Sequence, residues 1–464
     1  MFTINEIVLA TRGRIVGQEV GEITAISTDS RTVAPGQLYV PLRGERFDGH
    51  DFIQEVAARG VTAILAEEQW LKNNSIPETL SCIVVKNSLQ ALGDLAASWR
   101  RRFELPIIAV TGSNGKTTVK EMLATVMEQT GAGLKTTGNL NNLIGVPKMI
   151  FQLNQTHRWA VLEMGMSEPG EIDRLGAIAA PRVGIVLNAL PAHLQSMGTV
   201  EAVAAAKGEL LHRISDGGLA VVNADDPRVA SLSQNASARR ISFGIDRGEV
   251  RAKEIETLGL EGQKFRLHTP NGDATVHLKA CGRHNIYNAL AVTAALLEKV
   301  DLATIVAGLE AFTPYQGRFR IERLDGITLI DDSYNANPAS TKAALETLAQ
   351  IAAPGHRIAV LGDMLELGDH EVAAHLGTGA VAGRNVDHLY LTGELMTKHA
   401  TEGAMSADMP ADSIICMTSH NGIAKHLYKN LSEGDVILIK GSRGMTMEKV
   451  AIELKQLIQH SKGE

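Results

Sequence analysis

The chain has little of what would mark a secreted, membrane-spanning or nucleic-acid-binding protein. Its three cysteines, Cys82, Cys281 and Cys416, stand far apart in 464 residues with no C-x-x-C spacing. That excludes a disulfide framework and a zinc site built on cysteine pairs, and it points to a reducing compartment. No stretch reaches 18 apolar residues, so no membrane span is expected. The opening MFTINEIVLATRG carries Glu6 where a signal peptide would carry bases, and a cytoplasmic protein is expected. The net charge of −7 argues against general nucleic-acid binding. Only Arg100-Arg101-Arg102 forms a basic block. It closes a helical pattern before Pro106 and reads as a helix C-terminus facing solvent. There is no internal repeat, low-complexity segment or long linker, and a monomer is the default expectation.

What is present describes an α/β enzyme. The chain is 44% hydrophobic, only 4% aromatic and rich in Gly and Ala. Its length suggests about three domains. The stretch that organises it is Ile107-Ile108-Ala109-Val110-Thr111, followed by Gly112-Ser113-Asn114-Gly115-Lys116-Thr117-Thr118. A β-branched run enters a glycine-bounded loop and then a helical segment, which is the layout of a phosphate cradle. The general pattern G-x-x-x-x-G-K-[ST] would need Gly at position 110, where this chain has Val110. Lys116 would neutralise β/γ-phosphate charge, and Thr117 would offer its hydroxyl to Mg²⁺.

Residues 1–104 read as a small α/β unit without a G-x-G-x-x-G turn, so a dinucleotide domain is not expected there. Ser30 and Arg31 end a strand in it, and such a pair either closes the strand or holds a phosphate. Residues 105–313 form a central unit. In it the Asn/Gly loop Thr136–Asn142 and the strand Trp159–Glu163 follow the cradle, and Glu163 at a strand's C-terminal end reads as a metal ligand. His193 also lies beyond a strand end. Lys207 sits in an alanine-rich helix spanning Thr199–His212 and, taken alone, reads as an exposed charge. Residues 241–280 read as an antiparallel hairpin layer. His284 and Asn288, four apart, share a face near a helix start. Residues 314–464 alternate strands and helices, hence a mostly parallel, Rossmann-like sheet. Its strand ends carry Asp331-Asp332-Ser333-Tyr334-Asn335-Ala336-Asn337-Pro338, Gly362-Asp363-Met364 and Lys440-Gly441-Ser442-Arg443. The final helix is expected to reach about His460, with Ser461–Glu464 frayed. An ATP-dependent transferase or ligase with domain closure follows from these residues alone.

The loop Thr111-Gly112-Ser113-Asn114-Gly115-Lys116-Thr117-Thr118 is similar to the P-loop variant of the Mur ligase and folylpolyglutamate synthase superfamily. Further stretches carry the resemblance along nearly the whole chain: Ser27–Arg31, Asn141–Pro147, Glu163-Met164-Gly165, Ala192-His193-Leu194, Ala206–Glu209, Gly282–Asn288, Gly317-Arg318, Asp332–Pro338 and Lys440–Arg443. Asp-Ser-Tyr-Asn-Ala-Asn-Pro is the most specific of them. It resembles the members that join D-alanyl-D-alanine to UDP-N-acetylmuramoyl-tripeptide.

The resemblance implies an α/β fold of three domains: a small UDP-sugar-binding unit, a central P-loop mononucleotide-binding unit, and a C-terminal Rossmann-like unit for the incoming dipeptide. It implies ATP and two Mg²⁺ ions. Thr117 and Glu163 would hold one ion. Glu163, His193 and an N-carboxylated Lys207 would hold the other. His284 and Asn288 would border the adenine, and Arg318 and Asp332 would meet phosphate and ribose. Ser30, Arg31, Asn141 and Asn142 would contact the UDP-substrate, while Tyr334, Asn335 and Arg443 would line the acceptor pocket. Leu143 and Gln195 depart from residues common in the family. The ligase for the third amino acid carries Asp-Asn-Pro-Arg, absent here. The ligases for the first two residues begin with a glycine turn this chain lacks. A nucleotide-gated switch would need only the P-loop and one Mg²⁺.

Overall fold

The computed structural model describes residues 1–17, 21–232 and 238–460. Ser461–Glu464, expected to fray, lie outside them. The chain separates into two compact units. The first contains Met1–Ala109, Ala132–Gly165 and Glu171–Pro181; the second contains Val110–Gly131, Met166–Gly170 and the chain from Arg182 on.

In the first unit a five-stranded sheet runs in the order Arg14–Val16, Ser81–Val85, Ala63–Glu67, Gln37–Tyr39, Ala25–Ser27. The first strand pairs antiparallel and the others parallel. Ala63–Glu67 and Ser81–Val85 are buried along their whole length, as their unbroken small and β-branched runs require of central parallel strands. Helix Ser88–Arg100 starts where the Asn87 side chain accepts from the Gln90 N–H at 2.7 Å. It packs Ala91, Leu92 and Leu95 into the core.

The helix ends there as expected, with Arg101 and Arg102 exposed, and the solvent-facing reading needs correction only at Arg100. Arg100 donates from Nε to Ala179 O at 3.0 Å and from Nη2 to Leu105 O at 3.0 Å. Arg102 lies over the Phe2 and Trp99 rings and pairs with Glu6 at 2.8 Å. Carbonyls left without partners at a helix end and loop are what a forked guanidinium satisfies. The same unit holds strand Gly133–Lys135, parallel to Trp159–Glu163.

In the second unit, helix Lys116–Met127 follows the glycine loop. Strand Leu219–Asn223 pairs parallel with both Val183–Val186 and Arg239–Gly244. Strands Val250–Thr257, Gln263–Thr269 and Gly272–Leu278 then form an antiparallel meander. The expected hairpin layer is therefore right from 250 onward, but Arg239–Gly244 joins in parallel. The Asp225 carboxylate explains the difference. It accepts from the backbone N–H groups of Ile245, Asp246 and Arg247 at 2.6, 3.0 and 2.8 Å, which holds the chain in a loop rather than a tight hairpin turn. The expected helix Thr199–His212 is α-helical only over Val200–Gly208 and continues as a 3₁₀ turn, Glu209–Arg213.

The remaining sheet has six strands in the order Arg320–Leu324, Ile327–Asp332, Val436–Lys440, Arg357–Gly362, His388–Thr392, Ile414–Cys416. Only the edge strand Arg320–Leu324 is antiparallel. The last strand by sequence, Val436–Lys440, enters the middle. That places the C-terminal ends carrying Asp332, Lys440 and Asp363 side by side, where ligands of such sheets bind.

Candidate active site

The cradle is built by local rules and then clamped by distant residues. Gly115 caps helix Lys116–Met127 with φ +88°, a conformation that disfavours any side chain. A Cβ there would stand 2.5 Å from Asn288 Oδ1. Asn288 is held in turn, donating to Asn285 Oδ1 at 2.9 Å. The Asn114 N–H donates to Asn188 Oδ1 at 2.9 Å, and Asn188 returns a bond to Asn114 O at 3.1 Å. Ser113 Oγ donates to Leu190 O and accepts from Leu190 N, both at 2.9 Å. Lys116 Nζ donates to Gly112 O at 2.8 Å, which holds the ammonium over the loop beside the helix N-terminus. Asn114 also pairs with Asn337, which donates to it at 2.7 Å. Asn337 belongs to the Asp-Ser-Tyr-Asn-Ala-Asn-Pro stretch. That stretch therefore touches the phosphate loop directly, a role for Asn114 and Asn337 that sequence motifs did not reveal.

Lys207 overturns the exposed-charge reading. It is 2% exposed. Burial drives its pKa well below the ordinary lysine value, and the charge of Lys116 pushes the same way. A buried amine whose burial disfavours the ammonium form is suited to take up CO₂ and become an oxygen donor.

Arg318 donates from Nη2 to Thr117 Oγ1 at 3.1 Å and lies 4.1 Å from the Tyr334 ring centroid. Its Nε is buried without a hydrogen-bond partner, as expected of a guanidinium meant for an anion. Arg443 approaches the same ring at 5.6 Å and pairs with Glu448 at 2.9 Å. Its backbone N–H donates to Asn335 Oδ1 at 3.2 Å. Lys440 Nζ joins the cluster, donating to the Asp332 carboxylate at 2.6 Å and to Asn335 O at 3.0 Å. Asp332 also accepts from the Phe319 N–H at 3.1 Å. His284 is partly buried. Burial holds its imidazole below the ordinary value despite the nearby Asp332. His193 is left-handed, with φ 54°, and its Nδ1 lies 2.7 Å from Glu366 Oε2.

The other expected residues belong to the first unit. Glu163 ends its strand 3% exposed. Asn141 donates to its Oε1 at 2.8 Å, and the Glu163 N–H donates to Thr136 Oγ1 at 2.9 Å. Asn142 Oδ1 accepts from the Ile144 and Gly145 N–H groups, so its side chain shapes the turn. Ser30 is buried. Arg31 makes a two-point pair with Asp29, at 2.9 and 2.8 Å, and holds that carboxyl well below the usual range. Among the described residues no three His, Cys, Asp or Glu side chains converge as a metal site. The donors at hand are instead the Thr117 hydroxyl, the buried Lys207 amine and single acid or imidazole groups. The buried Lys207, together with the orphaned Arg318 Nε, fits a charged, Mg²⁺-bearing phosphate.

The sequence matches three family descriptions in chain order: "Mur ligase family, catalytic domain" over residues 22–100, "Mur ligase middle domain" over 110–296, and "Mur ligase, glutamate ligase domain" over 317–443. It is 35% identical to the UDP-N-acetylmuramoyl-tripeptide--D-alanyl-D-alanine ligase of Escherichia coli, covering 98% of each chain. Among solved structures it resembles MurF from Acinetobacter baumannii with TM-score 0.88 and 34% identity, over 98% of this chain and 99% of that one. It also resembles MurF ligase from Thermotoga maritima in complex with ADP, with TM-score 0.83 and 28% identity, over 94% and 98%. A phosphate loop of the variant form, clamped by an Asp-Ser-Tyr-Asn-Ala-Asn-Pro stretch and set beside a buried lysine, thus agrees with full-length similarity, and the chain belongs to the Mur ligase family.

Proposed function

We infer that the chain is an ATP-dependent ligase joining D-alanyl-D-alanine to UDP-N-acetylmuramoyl-tripeptide during synthesis of the peptidoglycan precursor. The relatives named above supply the substrates. The observation that carries the chemistry is Lys207, a buried amine beside the cradle lysine Lys116. A switch protein has no use for it, whereas a ligase that must bring a carboxylate to a triphosphate needs extra anion-managing groups.

A carboxylate is a poor acyl donor, so it is activated first. One carboxylate oxygen of the tripeptide attacks the γ-phosphorus of ATP, the bond to the β-phosphate oxygen breaks, and ADP leaves. The neutral amine of D-alanyl-D-alanine then attacks the acyl carbon. The C–O bond to phosphate breaks, and the amine loses a proton as the amide forms. Gly112, Ser113, Asn114, Gly115 and Thr118 hold the phosphates through the cradle backbone, and Lys116 offsets their charge. Arg318, ordered by Tyr334 and Thr117, places a second cation where charge develops on transfer. His284 and Asn288 border the base, and Asp332, oriented by Lys440, faces the ribose.

Mg²⁺ would neutralise phosphate charge and draw the acceptor carboxylate towards it. Thr117, Glu163, His193 and an N-carboxylated Lys207 are the residues that would hold two such ions. Residues 1–104, with Ser30 and Arg31, would bind the UDP-sugar, and Asn141 and Asn142 would follow the peptide. Residues 105–313 would bind ATP. Residues 314–464 would bind the dipeptide through Tyr334, Asn335 and Arg443. Dependence on a UDP-linked precursor and ATP supports a cytoplasmic reaction, and a monomer is the default reading. No helix among the described residues is long and apolar enough to cross a membrane.

The deciding assay measures phosphate release from ATP with UDP-N-acetylmuramoyl-tripeptide and each acceptor in turn. Release should require both the tripeptide and D-alanyl-D-alanine. Release with a single diamino acid and none with the dipeptide would overturn the assignment.

A further inference from the structure

Glu366 has no role in the reading above, yet the fold presents it with care. It follows strand Arg357–Gly362 in the stretch Asp363-Met364-Leu365-Glu366. Three ties hold the residues before it. The Met364 N–H donates to His375 Nε2 at 3.0 Å, the Leu365 N–H donates to Ser442 Oγ at 2.9 Å, and the Ser442 N–H donates to Asp363 O at 3.1 Å. His375 is itself buried, with Nδ1 2.7 Å from Glu371 O, so its proton sits on Nδ1 and Nε2 accepts.

Glu366 and His193 both adopt left-handed backbone, with φ 64° and 54°. Each is a sparsely populated conformation for a side-chain-bearing residue, and such strain concentrates at functional sites. The two face each other. Glu366 Oε2 lies 2.7 Å from His193 Nδ1, and the Gln195 N–H donates to Glu366 O at 3.3 Å. Gly368, at φ +55°, lets the two loops approach, since a Cβ there would meet Gln195 Cα at 3.3 Å.

We propose that Glu366 is a positioning residue for His193, holding the ring proton on Nδ1 and leaving Nε2 as the lone-pair nitrogen. This rests on the reading of His193 as a Mg²⁺ ligand. A carboxylate behind a ligating histidine selects its tautomer, orients its ring and raises its basicity. Ser442 extends the arrangement. It neighbours Arg443, and its hydroxyl donates to Ala336 O at 3.1 Å. The loops that carry the acceptor-pocket residues therefore support the carboxylate that orients His193.

The test uses the full chain labelled with ¹⁵N-histidine. Long-range ¹H–¹⁵N spectra report each ring tautomer, and His193→Gln identifies the His193 signals. Wild type should show the Nδ1–H form at His193 without any metal. Glu366→Asn tolerates the left-handed backbone but is too short to reach. It should shift His193 towards the Nε2–H form and weaken Mn²⁺ binding in the presence of ATP by about tenfold or more, read by electron paramagnetic resonance. Glu366→Gln, which keeps an acceptor oxygen, should restore both. An Nε2–H form in wild type would overturn the proposal, and so would unchanged tautomer and Mn²⁺ affinity in Glu366→Asn. If His193→Gln leaves Mn²⁺ affinity unchanged, the ligand reading itself fails. If His193→Gln weakens it and Glu366→Asn does not, only the role of Glu366 fails.

Discussion

Arg318 Nη2 donates to the Thr117 hydroxyl at 3.1 Å across 201 positions of sequence. One guanidinium thereby joins the first turn of the P-loop helix to the Asp-Ser-Tyr-Asn-Ala-Asn-Pro stretch, through its stacking on Tyr334. Its Nε is buried and unpartnered.

That geometry makes Arg318→Lys a severe change rather than a conservative one. A lysine cannot stack on Tyr334 and present several donors in one plane. We expect kcat/KM for ATP to fall about 100-fold, the scale of losing one preorganised donor to a developing charge. Steady-state phosphate release measures it, and wild-type kinetics would remove Arg318 from the site.

Lys207→Ala should abolish ligase activity, because the buried amine has no substitute nearby. Added formate or acetate should restore part of it by supplying a carboxylate in the space left behind. Rate against carboxylate concentration is the measurement. Full activity without the lysine, or no rescue at any concentration, would refute N-carboxylation.

Gly115→Ala should lose ATP binding while the protein still folds. The φ of +88° and a Cβ 2.5 Å from Asn288 Oδ1 make the substitution strained and crowded. A cost of about 1–3 kcal/mol is expected from such backbone alone. Gly21→Ala, at a position with nothing within 4 Å, is the control and should melt with wild type. Calorimetric titration with ATP and a melting curve together check both parts.

The three thiols should differ sharply in reactivity. Burial pushes the Cys82 thiol up to about 12 and the Cys281 thiol up to about 11, whereas Cys416 is exposed. Thiolate, not thiol, attacks a disulfide reagent. At pH 8 the folded protein should therefore release one fast equivalent from dithionitrobenzoate, and the denatured protein three. Two or more fast equivalents would contradict the burial of Cys82 or Cys281.

Local signals made much of the fold legible. The run Ile107–Thr111 and the glycine-bounded loop declare a strand, a cradle and a helix within a dozen or so residues, and the structure has them in place. The alternating elements after residue 314 announce a mostly parallel sheet, and only its edge strand departs. Misreadings arose where a distant group decides. Arg100 looked solvated because its acceptor, Ala179 O, lies 79 residues away. Arg239–Gly244 looked like part of a hairpin because the Asp225 carboxylate that redirects the chain is remote in sequence. Lys207, on an alanine-rich helix, carries no local mark of burial, and residue type alone suggested the opposite.

By itself the sequence determined the kinds of elements, the phosphate loop, and the family whose motifs run through nearly the whole chain. These are properties of neighbouring residues, set by backbone freedom at glycine, β-branching and helix capping. The tertiary structure alone decided that Arg318 reaches Thr117, that Asn337 grips Asn114, that Lys207 is buried and that Glu366 stands behind His193. Those relationships depend on strand order and on how the loops at the strand ends are juxtaposed. Hydrogen bonds a few ångströms long between residues up to 223 positions apart leave no periodicity or spacing in the chain to be read.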